Sequence, residues 1–64
     1  MSKIIIERAK KSKGKKVKIY LFNGFRFAGK LTNSDEKYLE ILDDKSGCFK
    51  IIILKEISDM EVEE

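Results

Sequence analysis

A chain of 64 residues has room for one small domain, and a fold of this size hides only about 60% of the surface its unfolded form exposes. Hydrophobic residues at 42% and charged residues at 39% exclude a disordered polymer. A single cysteine excludes a disulfide framework, and the lack of histidine argues against structural zinc. The net charge of +3 conceals an asymmetry: eight bases stand against Glu7 alone in residues 1–18, whereas six bases face ten acids in residues 19–64. A basic block of that density attracts phosphate backbones.

In chain order, Ile4, Ile5, Arg8 and Ala9 have the spacing of a short helix over Lys3–Lys11, ended by Gly14. From Val17 the period becomes two, with Val17, Ile19 and Leu21 alternating with Lys18, Tyr20 and Phe22, which predicts a strand. Asn23-Gly24 reads as a two-residue hairpin turn. Further strands are predicted over Phe25–Thr32, Tyr38–Asp43, Cys48–Leu54 and Ile57–Val62. They are separated by the polar loop Thr32–Asp35, the turn Asp44–Gly47 and a break at Lys55-Glu56. A short helix and five strands on tight links predict a mainly β fold, a strongly bent five-stranded antiparallel SH3-like barrel; an OB-fold would need more residues. The chain divides into a basic helix and arm (1–16), the barrel (17–62) and an acidic tail (63–64), all within one domain.

A two-residue turn at Asn23-Gly24 would pair Phe22 with Phe25 and Tyr20 with Phe27. The four aromatics would then share one face, with Val17, Ile19 and Leu21 on the other. The run Phe49–Leu54 carries one charge, Lys50; as a free edge it would invite aggregation, so pairing with the last strand of a neighbouring copy is expected. No catalytic group is expected. There is no histidine base and no phosphate-binding glycine loop, and the adjacent acids Asp35-Glu36 and Asp43-Asp44 do not converge. No metal, cofactor or small-molecule substrate is expected. The longest apolar run, Ile51–Leu54, is too short to cross a bilayer. With one free thiol and no export leader, the sequence predicts a cytoplasmic setting.

The string V-K-I-Y-L-F-N-G-F-R-F-A-G-K-L at residues 17–31, followed by Asp35, resembles the first motif of the Sm/LSm/Hfq superfamily, most closely its Hfq-like branch of RNA chaperones. Lys55-Glu56-Ile57-Ser58 is similar to the second motif of that branch. Ala28 departs from it, standing where a glutamine is usual, as does Ile53-Leu54-Lys55 where Tyr-Lys-His is usual. The resemblance implies an Sm-like barrel assembled into a ring of six or seven copies that binds single-stranded RNA. It also implies three RNA-binding surfaces: a hairpin face of Tyr20, Gly24, Phe25, Arg26 and Phe27; a pore side of Asp35, Glu36, Lys37, Tyr38 and Lys55; and a rim of Arg8, Lys10, Lys11 and Lys13. Two other readings of the residues remain open at this point. One is a monomeric, lysine-rich, SH3-like DNA-coating chromatin protein; the other is a ring that serves as a protein-interaction scaffold.

Overall fold

The computed structural model describes residues 3–63. Met1, Ser2 and Glu64, the ends of the expected arm and tail, lie outside the described residues. Helix α1 (Lys3–Lys11) leads into β1 (Lys16–Leu21), β2 (Arg26–Ser34), β3 (Tyr38–Asp43) and β4 (Phe49–Ile53). A single 3-10 turn (Leu54–Glu56) then connects to β5 (Ile57–Val62). The mainly β architecture read from the sequence is present: one antiparallel sheet ordered β4-β3-β2-β1-β5.

Alternation builds the core. Val17 and Ile19 of β1, Leu31 of β2, Leu39 and Ile41 of β3, and Ile52 of β4 are buried with Leu54, Ile57 and Ala9 of the helix. Burying side chains of this kind stabilises a fold by about 1.5–3 kcal/mol each, and a core this small is correspondingly sensitive to each one. The helix presents Ile5, Ile6 and Ala9 to the sheet. Its end is tied down by Ser12, whose hydroxyl donates to the Arg8 carbonyl at 2.6 Å. The linker then runs against β2, with the Gly14 N–H donating to the Leu31 carbonyl (2.7 Å) and the Leu31 N–H to the Lys15 carbonyl (2.9 Å). Arg8, Lys10 and Lys11 occupy the last helical turn, where cations complement the helix dipole.

Two irregularities bend the sheet. At Thr32 the register against β3 shifts, so that Leu31 faces Ile41 but Asn33 faces Glu40. Thr32 is the extra residue of a bulge, which bends and twists its strand. Its hydroxyl lies 3.0 Å from the Glu40 carbonyl oxygen. Ser58 is the corresponding extra residue of β5 against β1, its hydroxyl donating to the Tyr20 carbonyl at 3.1 Å.

The first hairpin corrects the sequence reading. Tyr20 faces Arg26 and Ile19 faces Phe27; beyond them the Leu21 N–H donates to the Phe25 carbonyl at 2.8 Å. The loop is therefore three residues, Phe22-Asn23-Gly24, with Gly24 at φ +93°, the left-handed position that closes such loops. The extra residue puts Phe27 on the face of Ile19 and away from Tyr20. Phe27 turns inward, packs against the core and has the Lys50 ammonium 5.2 Å from its ring centre. Tyr20 faces outward beside Arg26. Phe22 and Phe25 sit at the tip, 75% and 66% exposed. The four aromatics do not form one platform. The predicted polar loop Thr32–Asp35 also shrinks, because β2 continues to Ser34.

Among the described residues, β4 and β5 are the two edges of the sheet. The outward side of β4 is apolar: Phe49, Ile51 and Ile53 are all exposed.

Candidate nucleic-acid interface

The hairpin face is built by three strands. Direct pairing puts Arg26, Tyr20 and Asp59 in one row across β2, β1 and β5, and Ala28, Lys18 and Glu61 in the next. The row beyond begins with Lys30 opposite Lys16. Lys16 reaches the Asp44 carboxylate at 2.8 Å, an exposed pair that contributes little to stability. Tyr20 is half-buried, and its hydroxyl donates to Glu61 Oε1 at 3.2 Å. Burial and then the Glu61 carboxylate push the phenol pKa up, while Arg26 opposes them. On its other side Tyr20 borders a concavity of about 210 Å³ shared with Lys18, Arg26, Phe27, Ala28 and Lys45. Tyr20, Arg26 and Phe27 thus come together there, although Phe27 enters from the inner side; Gly24 and Phe25 remain at the tip.

The expected pore-side residues divide between two grooves of the single chain. Asp35 and Tyr38 line one of about 370 Å³ with Asn33, Ser34, Glu40 and Ile51. Lys55 lies in another, of about 720 Å³, with Arg8, Ile4, Phe22, Met60 and Val62. The backbone links them indirectly. The 3-10 turn donates from the Leu54 N–H to the Lys37 carbonyl (2.8 Å), and its Glu56 carbonyl accepts from the Phe22 N–H (3.0 Å). Glu36 and Lys37 are exposed between them.

Asp35 organises its own loop. Its Oδ1 accepts from the N–H groups of Lys37 and Tyr38, both at 2.7 Å. These bonds hold its carboxyl below the ordinary value of 3.8. Asp43, only 8% exposed, accepts from the Ser46 N–H (2.9 Å) and hydroxyl (3.0 Å), and its carboxyl is held down for the same reason. Because the folded chain favours the ionised form of both, it binds fewer protons than the unfolded chain in acid. The stabilisation is present above the unfolded value and is lost as pH falls below it and through the lowered folded ones. Melting temperature is expected to fall over that window, and Asp35→Asn with Asp43→Asn to flatten the fall. An unchanged profile in the double variant would reject the assignment.

The expected rim residues do not all line one groove. Arg8 and Lys11 line a third groove, about 390 Å³, with Glu7, Ser12 and Lys15. Lys10 and Lys13 are exposed beside it in sequence. Sequence reasoning missed Lys18, Lys45, Asp59 and Glu61. Alternation along β1 put Lys18 beside Tyr20, but the carboxylates of β5 join that face only through long-range pairing.

Compared with known proteins, no family model and no curated protein sequence matches the chain. The 1.55 Å crystal structure of the pleiotropic translational regulator Hfq superposes with a TM-score of 0.80. The match covers 92% of this chain and 98% of that one at 21% sequence identity. The chain therefore has the Hfq-type Sm-like fold: a short helix followed by five antiparallel strands.

Proposed function

We propose that identical copies of this chain close into a ring that binds single-stranded RNA as a passive chaperone in the cytoplasm. The observation that carries this reading is the pair of open edges. β4 displays Phe49, Ile51 and Ile53, and β5 borders a groove floored by Ile4, Phe22, Met60 and Val62. A heterologous contact between unlike edges closes into a ring when the rotation permits. Such a junction would bring the Asp35–Tyr38 side of one copy toward the Arg8–Lys55 side of the next. The fold shared with a translational regulator supports a role in post-transcriptional control. In this reading the hairpin face holds bases, the loop at Asp35 and Lys55 contributes at the junction, and the rim captures phosphates through Arg8, Lys10, Lys11 and Lys13. Several sites on one ring raise the effective concentration of two bound RNAs.

Native mass measurement and titration with single-stranded RNA test the proposal together. A closed multiple of 7.4 kDa that binds RNA with strong salt dependence is expected. A stable single chain would reject the ring and favour the DNA-coating reading, whereas a ring without RNA affinity would favour a protein scaffold. Lys10→Ala with Lys11→Ala is expected to weaken binding uniformly across sequences. It should reduce the salt slope by about 0.7 for each phosphate that is no longer neutralised; an unchanged slope would remove these lysines from the interface.

A further inference from the structure

Tyr20 stands between groups of opposite charge. On one side are Lys18, Arg26 and Lys45, which share its concavity. On the other are the β5 carboxylates, Asp59 directly opposite and Glu61 one pair along. Their states differ. Asp59 Oδ1 already accepts from the Met60 N–H at 2.8 Å. Glu61 accepts the Tyr20 hydroxyl through Oε1. Glu61 is also exposed on the outward side of β5 in the single chain.

A nucleotide stacked on Tyr20 meets this asymmetry in one orientation. Its phosphates favour the cationic side, which turns the edge of the base toward Glu61. An ionised carboxylate accepts hydrogen bonds and donates none. Cytosine, adenine and guanine offer it an exocyclic amino group. Uracil offers only N3–H, flanked by two carbonyl oxygens that the carboxylate repels. We propose that Glu61 is a specificity-determining residue of the hairpin face, accepting a hydrogen bond from the amino group of a base on Tyr20 and thereby selecting amino-bearing bases over uracil. The inference rests on the RNA-binding reading above and adds a base preference to it. The carboxylate fixes that preference while lowering general affinity for the RNA backbone.

Oligo-C and oligo-U of equal length isolate the effect, because both are pyrimidines and differ at the edge Glu61 would read. Titrations at neutral pH compare the unaltered protein with Glu61→Gln and Tyr20→Ala, the fold of each being checked by circular dichroism. The unaltered protein is expected to favour oligo-C by about fivefold, the low end for one good base-edge contact. Glu61→Gln, whose amide both donates and accepts, is expected to bring the ratio close to one. Tyr20→Ala is expected to weaken binding of both oligomers. Equal affinities in the unaltered protein, or an unchanged ratio in Glu61→Gln, would overturn the inference while leaving RNA binding intact. An equal gain for both oligomers in Glu61→Gln would also overturn it, reducing Glu61 to a repeller of phosphate. Unchanged binding in Tyr20→Ala would instead remove RNA from the hairpin face altogether, and the inference with it.

Discussion

Replacing Ile51 with lysine is expected to convert the proposed ring into folded single chains of 7.4 kDa. Ile51 is 67% exposed in the chain and faces outward from β4 between Phe49 and Ile53. Its partner across the ladder is Glu40, so a lysine there gains an opposite charge within its own sheet, and the fold of the chain is preserved. Between copies the balance reverses. The junction loses an apolar burial of about 1.5–3 kcal/mol and gains an ammonium that must leave water. A closed ring carries that loss at every junction, so the penalty multiplies. Native mass spectrometry and circular dichroism check the two halves of the expectation. A ring that persists in Ile51→Lys would place the junction elsewhere, and a chain that unfolds would show that Ile51 belongs to the core.

The second large effect is expected at Gly29. Here β3 passes so close to β2 that a Cβ would collide with the Leu42 carbonyl oxygen and crowd the Asp43 Cα. Both obstacles are backbone, so no side chain can swing aside. Gly29 is paired with Asp43 on one side and Val17 on the other and is buried. Overpacking of this kind costs about 1–3 kcal/mol and occasionally more, which is most of what so small a core supplies. The melting temperature of Gly29→Ala is expected to drop by about 4–8 °C per kcal/mol of destabilisation. Gly24→Ala is the control: it meets no atom within 4 Å and bears only the strain of its positive φ. A melting temperature of Gly29→Ala equal to that of the unaltered protein would refute the close approach.

Much of this architecture was legible in the residues, for identifiable reasons. Helix α1 followed from its apolar spacing, and β3 and β5 from runs bounded by turn residues; all three have the expected ends. The first hairpin was misread by one residue. Asn-Gly can close a three-residue loop as readily as a two-residue one, and Ile19-Tyr20-Leu21-Phe22 is apolar on both faces. When neither face is polar, the pattern no longer fixes register, and a slip of one moved Phe27 from the outward face to the core. The end of β2 was missed because Thr32-Asn33-Ser34 has loop composition, yet a bulge absorbs the extra residue and pairing continues. At the candidate interface, neighbours in sequence were found and distant ones were not. The Asx bonds of Asp35 lie within three residues. The Tyr20–Glu61 bond spans 41, and no local pattern encodes the pairing of first and last strands.

The corner at Leu54–Glu56 has one more consequence. It joins the two open edges through a single short turn and is clamped from both sides, by Lys37 and by Phe22. In a circular oligomer built from those edges, the wedge angle of each copy would be constrained at this corner by these few peptide units, together with the bulged sheet between the edges. In the proposed ring, the number of copies that completes the circle would depend on this corner, which two backbone bonds hold.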